Sequence, residues 1–314
     1  MLTFDYDTKK SIREAFGNKL FELGAKNNEV VVLDADLSSS TQTKIFAKAF
    51  PERFFNVGIA EQNLINTAVG LSLEGKIPFV ATFAVFATGR TYDQIRMSVA
   101  YQKANVKIIG THSGITVGED GATHQALEDI SLMRGLPNMT VISPADCTEC
   151  EQALEFALNH NGPVYIRIPR NNVPEIYSTD YKFNINKAVV LKSGSDVTLL
   201  SNSDILQETL KASELLAQQG INAEVISVPV LKPFDKETLL QSASKTKLVV
   251  TVENHSINGG LGSIVAETLS ENLPTKMLRI GMNDSFGQSG APNELLKLYG
   301  MNAEEILNKV MKLL

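Results

Sequence analysis

The densest group of side chains that could do chemistry follows the apolar run Val106 to Gly110. It comprises Thr111-His112-Ser113-Gly114 and, after two further residues, Val117-Gly118-Glu119-Asp120-Gly121-Ala122-Thr123-His124-Gln125. Imidazoles and carboxylates can exchange protons with a ligand, and the carboxyl end of a strand in an open α/β sheet is where ligands bind. A histidine at a strand end can equally be a surface or capping residue, so residue types alone leave both interpretations open. No pair here has the i, i+4 spacing of metal-binding histidines, so no metal site is predicted.

A second candidate is Glu61, within Gly58-Ile59-Ala60-Glu61-Gln62-Asn63. The pattern predicts a helix that opens near Ile59, which places this carboxylate in the first turn. There it either stabilises the positive end of the helix dipole or, in a pocket, acts as an acid or base. Spacing alone does not separate the two roles.

Two other motifs admit a functional and a structural interpretation. Cys147 and Cys150 form a C-x-x-C pair predicted to open a helix, where a thiol pKa can be lowered, but a second pair for a structural zinc is absent from the sequence. The glycine-rich turn at 258–262 only partly matches a nucleotide loop. For both motifs we favour a structural role, as small apolar helix residues and as a helix start.

The elements that must position these groups alternate regularly along the chain. Short β-branched runs alternate with amphipathic stretches, which predicts an α/β fold with parallel sheets covered by helices. The predicted strands are 30–34, 78–83, 106–111, 140–143, 164–168, 197–200, 223–228, 248–252 and 276–280, with helices near 8–26 and 302–314.

The periodic pattern is lost between Pro169 and Asn186, and this segment is interpreted as a linker. The sequence therefore predicts two α/β domains, 1–186 and 187–314. No internal repeat is visible.

Composition limits the function classes. The 314 residues are 43% hydrophobic, enough for two cores, and the net charge is −6 without a basic cluster. A nucleic-acid or anionic-membrane surface is therefore not expected. Neither a signal sequence nor a long apolar stretch is present, so we expect a soluble cytoplasmic protein.

Taken together and in order, several segments resemble transketolase. The resemblance covers essentially the whole chain. The earlier part resembles the pyrimidine-binding domain of transketolase, and the later part resembles its C-terminal domain. The segments are Asp34-Ala35-Asp36-Leu37, Gly58-Ile59-Ala60-Glu61-Gln62, Ala81-Thr82-Phe83, Gly118-Glu119-Asp120-Gly121, Thr123-His124-Gln125, Ile168-Pro169-Arg170-Asn171, Val252-Glu253-Asn254 and Asp284-Ser285-Phe286-Gly287-Gln288-Ser289-Gly290.

The resemblance implies thiamine diphosphate as cofactor and Glu61 as the carboxyl group that activates its aminopyrimidine ring. A carboxylic acid buried against an apolar ring suits such proton exchange. Phe83 and Phe86 match aromatic residues that pack on the pyrimidine. Gly89 stands where a third aromatic residue is expected, so this wall of the pocket departs from the family pattern.

For the sugar, the resemblance implies a phosphate site that combines guanidinium groups with neutral donors. Asp120 would accept a hydrogen bond from a sugar hydroxyl, His124 would lie beside the donor carbonyl as a catalytic group, and Asp36 would lie near the cofactor. The phosphate ligands implied are Arg13, Ser40, His112 and Arg170.

The motif that holds the diphosphate through Mg²⁺ in such families, Gly-Asp-Gly followed by Asn, is absent from this sequence. We therefore expect a partner chain, an N-terminal transketolase subunit, to bind Mg²⁺ and complete the site. The expected assembly is a heterotetramer built on a homodimer of this chain. The expected activity, within the pentose phosphate pathway, is transfer of a two-carbon ketol unit between sugar phosphates.

Other functions remain as alternatives. A deoxyxylulose-phosphate synthase-like enzyme shares the Glu and T-H-Q motifs, but His112 and Phe286-Gly287 favour transketolase. A 2-oxo acid dehydrogenase beta chain has the same pair of domains but a different loop from 111 to 125. A dinucleotide-binding protein lacks its complete G-x-G-x-x-G motif here. A non-catalytic subunit is the remaining alternative.

Overall fold

The computed structural model describes residues 5–314, in which β-strands and helices alternate. The strands are β1 (Lys9–Lys10), β2 (Val30–Asp34), β3 (Phe54–Asn56), β4 (Ile77–Phe83), β5 (Lys107–Thr111), β6 (Thr140–Ile142), β7 (Val164–Arg167), β8 (Val173–Pro174), β9 (Val189–Lys192), β10 (Val197–Ser201), β11 (Ala223–Ser227), β12 (Val230–Lys232), β13 (Val249–Ser256) and β14 (Met277–Met282).

The α-helices range from three to fifteen residues in length, and short 3₁₀ and π turns lie between them. They are α1 (Ile12–Lys26), α2 (Ser38–Thr41), α3 (Lys44–Ala49), α4 (Glu61–Leu73), α5 (Tyr92–Gln94), α6 (Asp129–Arg134), α7 (Cys147–Asn159), α8 (Leu206–Gln218), α9 (Lys236–Ala243), α10 (Leu261–Asn272), α11 (Pro292–Leu298) and α12 (Ala303–Met311).

The first domain is built on a seven-stranded sheet in the order β12-β6-β7-β5-β4-β2-β3. Every residue of β2 is buried, so both faces of the sheet are covered by helices at this strand. Val30 and Val32 pack in the core that includes α1 and α7, whereas Val31 and Leu33 pack with α4. Alternate side chains thus fill two cores, and each fully buried aliphatic side chain contributes about 1.5–3 kcal/mol.

The second domain has a five-stranded sheet in the order β14-β13-β10-β11-β9. Its strands are parallel except for the edge strand β9. Strand β12 leaves this domain and pairs antiparallel with β6 of the first sheet, with Val230 opposite Ile142. The second domain is therefore joined to the first through backbone hydrogen bonds as well as side chains.

The structure confirms the α/β fold with two domains of mainly parallel strands, and each predicted strand is present within a few residues. Helix α1 begins at Ile12 rather than near residue 8, because the side chain of Ser11 caps it and Lys9–Lys10 pairs with β8. Helix α4 begins at Glu61, two residues later than predicted. The sequence pattern did not reveal β1, β3, β8, β9 and β12. Across residues 5–314, none of the helices combines the length and apolar character that a membrane span requires.

The carboxyl ends of β2, β4 and β5 meet at one edge of the first sheet. The pairing sets Asp34 opposite Ala81 and Phe83 opposite Thr111. The loops that follow these strands therefore start side by side, and His112 begins its loop next to Phe83.

A buried ion pair lies where the two domains meet. The Arg167 guanidinium donates from Nε to Asp129 Oδ2 over 2.8 Å, and both side chains are at most 1% exposed. Tyr165 donates its hydroxyl to the same oxygen over 2.7 Å. Arg167 Nη2 also donates to the backbone oxygen of Asn254 in the second domain over 2.7 Å. One buried cation thus links both domains.

We predict that Arg167→Met lowers the free energy of unfolding by about 3–5 kcal/mol, because Asp129 is left buried without its counter-charge. The control is Arg134→Gln, which breaks an inter-domain ion pair with the more exposed Glu267 and should cost no more than about 1 kcal/mol. Urea unfolding followed by fluorescence and circular dichroism measures both. Equal small losses would show that the buried pair does not stabilise the domain interface.

Candidate active site

The loop after β2 is fixed by hydrogen bonds to Asn56. Asp36 has a left-handed backbone (φ 65°), and its carboxylate accepts from Asn56 Nδ2 over 3.0 Å. Asn56 Oδ1 in turn accepts from the backbone N–H groups of Asp36 and Gly58, over 3.1 and 3.0 Å. Asn56 therefore joins Asp36 to the segment that leads to Glu61. Sequence reasoning missed this residue, since its role comes from the pairing of β2 with β3.

Glu61 is the first residue of α4, and only 2% of it is exposed. Its carboxylate accepts from Arg90 Nη1 over 2.9 Å. The Arg90 guanidinium also lies 4.6 Å from the centre of the Phe86 ring, a cation–π distance. Sequence reasoning missed Arg90, because 29 residues separate it from Glu61 and no local pattern connects them.

Aromatic rings from the end of β4, the turn after it and the loop after β5 form one cluster beside this ion pair. The Phe83 and Phe86 rings are nearly parallel, with centroids 6.0 Å apart. The Phe83 ring stacks on His112 at 3.9 Å, and Phe86 meets His124 edge-on at 5.5 Å. The structure therefore brings both predicted aromatic residues and both predicted histidines together.

Gly89 lies in the π-helical turn Phe86–Arg90, and a side chain there would meet no atom within 4 Å. The missing aromatic residue thus leaves open space at the edge of the cluster.

His112 is held as a neutral imidazole. Its burial, with the nearby Arg13 and Arg170 guanidinium groups, lowers its pKa to about 3. Its Nδ1 lies 3.0 Å from Thr111 Oγ1. At neutral pH this ring therefore adds a hydrogen-bonding group and no charge to the site.

Two guanidinium groups lie next to His112. Arg13 donates to the backbone oxygens of Ser40 and Arg170, over 2.8 and 3.1 Å, and none of the carboxylates within residues 5–314 pairs with it. Burial and then the Arg170 charge lower the Arg13 pKa. Arg170 donates to Val117 O and, over 2.8 Å, to the exposed Glu119 carboxylate. An arginine held by carbonyls beside a second arginine provides positive charge for an anion.

The two predicted sugar ligands of the 118–125 segment, Asp120 and His124, differ in their contacts. His124 faces Phe86, and its Nδ1 lies 2.9 Å from Thr123 Oγ1. Asp120 is exposed, and within the described chain its side chain forms no hydrogen bond or ion pair. The structure therefore includes His124 in the cluster but leaves Asp120 at its margin.

The C-x-x-C pair and the glycine-rich turn at 258–262 have structural roles. Cys147 and Cys150 do open α7, but both thiols are buried, and burial raises the pKa of each, so the possibility of a lowered thiol pKa there was wrong. The glycine turn begins α10 as predicted. The Glu253 carboxylate accepts from the N–H groups of Leu261 and Gly262, over 2.7 and 2.8 Å, so this chain already fills an anion position there.

Glu61, Phe83 and Phe86 fit one half of a thiamine diphosphate site. A buried carboxylate beside nearly parallel phenylalanine rings suits a flat aminopyrimidine, which offers ring faces and hydrogen-bonding nitrogens. Within residues 5–314, the structure contains no group of three or more histidine, cysteine or acidic side chains that could hold a metal ion. From Glu61 to Arg13 and Arg170, the cluster thus combines a buried carboxyl group with two guanidinium groups.

Comparison with known proteins agrees with this geometry. Residues 8–175 match the family model of the transketolase pyrimidine-binding domain, and residues 186–306 match that of the transketolase C-terminal domain. The chain is 49% identical over 306 residues to a putative transketolase C-terminal section of Methanocaldococcus jannaschii, covering 96% of each chain.

Two further relatives cover nearly the full chain. A 6-deoxy-6-sulfo-D-fructose transketolase subunit of a Clostridium species is 44% identical and covers 94% of this chain and 92% of its own. A solved split gene transketolase, described as an inactive beta4 tetramer, superposes with a TM-score of 0.90 at 51% identity, over 96% of this chain and 97% of its own. The chain belongs to the transketolase family and comprises its pyrimidine-binding and C-terminal domains.

Proposed function

We propose that this chain is the C-terminal subunit of a split transketolase that depends on thiamine diphosphate. It transfers a two-carbon ketol unit from a ketose phosphate to an aldose phosphate. The observation that carries the proposal is the cluster at the carboxyl edge of the first sheet. There Arg90 links buried Glu61 to the Phe86 ring, and the Arg13 and Arg170 guanidinium groups lie near His112, which stacks on Phe83.

The cofactor end of the site is formed by Glu61, Phe83, Phe86 and Asp36. When bound, thiamine diphosphate supplies the nucleophilic carbon that attacks the ketose carbonyl. Glu61 holds a proton at the pyrimidine ring nitrogen, and the phenylalanine rings cover the ring face. In this structure Glu61 Oε2 accepts from Arg90, so protonation of the carboxyl group competes with that ion pair.

The sugar end uses Arg13 of α1 and residues that follow β2, β5 and β7. Arg13 and Arg170 bind the phosphate by charge, and Ser40 and His112 add neutral donors. His124 stabilises charge that develops on the donor carbonyl oxygen, and Asp120 accepts from a hydroxyl of the acceptor.

The proposed partner is an N-terminal transketolase subunit that binds the diphosphate through Mg²⁺. Two observations support it: the sequence lacks a Gly-Asp-Gly motif, and relatives of similar length are named as transketolase sections or subunits. We further propose a cytoplasmic heterotetramer built on a homodimer of this chain. A role in the pentose phosphate pathway follows from the proposed substrates.

A sulfonated ketose is a second candidate donor, since one relative is named for 6-deoxy-6-sulfo-D-fructose. The position of Glu119 decides which anion the charge of the site matches. The neutral His112 leaves two positive charges, Arg13 and Arg170, which match a phosphate dianion once Glu119 leaves Arg170. A sulfonate monoanion matches the site with Glu119 still in place.

We predict that the purified chain alone has no ketol transfer activity and that addition of the N-terminal subunit restores it. The readout is aldose-dependent consumption of phosphorylated and sulfonated ketoses, with cofactor binding measured by calorimetry. Inactivity of the assembled complex on every donor would contradict the proposed function. Turnover by the chain alone would contradict the requirement for a partner.

We also predict that Arg170→Ala raises KM for a phosphorylated ketose about ten- to hundredfold while leaving a non-phosphorylated ketose nearly unaffected. The reason is the loss of a charge-assisted hydrogen bond. Arg279→Ala in the second domain removes the same charge away from the cluster and serves as control. Equal losses on both ketoses would assign Arg170 a structural role.

A further inference from the structure

The segment 114–126, which carries Glu119, Asp120 and His124, leaves the first sheet and returns to it. Its ends are held together, since Gly114 N donates to Ala126 O over 2.9 Å and Ser113 pairs with Ala126. Between these ends, backbone pairing with the sheet does not fix the path of the segment. Its position must come from other contacts, and most of them belong to the second domain.

The base of the 114–126 segment is bound by a buried polar triad formed by Thr116, Asp204 and Asn254. Asn254 Oδ1 accepts from the backbone N–H of Ile115 over 2.8 Å, and its Nδ2 donates to Thr116 Oγ1 over 2.8 Å. Thr116 Oγ1 in turn donates to Asp204 Oδ2 over 2.7 Å, and Asn254 Nδ2 lies 3.1 Å from the same oxygen. All three side chains are buried. Two of the three come from the second domain.

The fit between this segment and the second domain requires glycines. A Cβ atom on Gly114 (φ 73°) would lie 2.3 Å from the Asn254 side chain. A Cβ atom on Gly121 (φ 75°) would lie 2.5 Å from Ser289 Oγ. Larger residues would therefore both strain the backbone and displace the second domain.

Farther along the segment, Gln125 Nε2 donates to Gln288 O over 2.9 Å, which adds a second point of attachment.

We propose that Asn254 and Asp204 are positioning residues of the active site. Through the polar triad, the second domain holds the 114–126 segment in the path that sets His124 against Phe86. Val117 O and Glu119 on the same segment also contact Arg170, so the triad supports both ends of the cluster. That this segment acts on a sugar rests on the proposed function. That the second domain fixes its path can be tested without any substrate.

The direct test is hydrogen exchange of the full chain followed by mass spectrometry. In Asn254→Ala and in the milder Thr116→Val, amide exchange within 114–126 should rise about ten- to hundredfold, because two buried hydrogen bonds close this segment. Exchange in β5 should stay unchanged. The control is Lys232→Met, which removes inter-domain hydrogen bonds to Arg134 O and Leu136 O away from the segment.

Unchanged exchange of 114–126 in both variants would overturn the proposal, as would an equal rise in the Lys232→Met control. In the complex with the N-terminal subunit, Asn254→Ala and Asp204→Ala should each lower kcat/KM about ten- to hundredfold, whereas the Lys232→Met control should remain near wild type. If the wild-type complex transfers no ketol unit, the proposed function fails while the exchange data still decide the positioning role.

Discussion

The buried Arg167 guanidinium is the interaction on which the arrangement of this molecule depends. It neutralises Asp129 on α6 and donates to the backbone of Asn254 at the end of β13. A buried cation of this kind is strongly destabilising when its partner is lost, so the two domains are restricted to one relative position. In that position the Asn254 side chain accepts from the backbone N–H of Ile115, and the domain interface thereby helps to support the candidate active site.

This arrangement explains why a domain without predicted catalytic residues lies close to the site. The carboxyl edge of the first sheet supplies the reactive groups, on loops whose ends are fixed by strand pairing. The 114–126 segment is too long to be fixed in that way, and the second domain supplies its remaining contacts. Catalytic groups need to be held to within a fraction of an ångström, and such precision comes from the residues that surround them.

The sequence was sufficient to predict the fold class and most strands, because the fully buried strands are short, apolar and β-branched. It also indicated Glu61, Phe83, Phe86, His112 and His124, which the structure places in one cluster. It could not reveal Arg90 or Asn56, since their partners lie in other elements and only the pairing of strands and the packing of helices bring them together. For Cys147 and Cys150 the sequence left a reactive and a structural role open and favoured the structural one, and the burial of both thiols agrees with that choice.

The proposed activation of the cofactor by Glu61 within an assembled complex can be measured as exchange of the thiazolium C2 proton. Exchange would be followed by quenched-flow NMR in the complex of Glu61→Gln with the N-terminal subunit, using Asn63→Ala, an exposed neighbour on α4, as control. We expect the exchange rate to fall about 10²–10⁴-fold with the partner still bound. Wild-type exchange, with only the loss of about 0.3–1 kcal/mol in stability expected of a first-turn carboxylate, would contradict it.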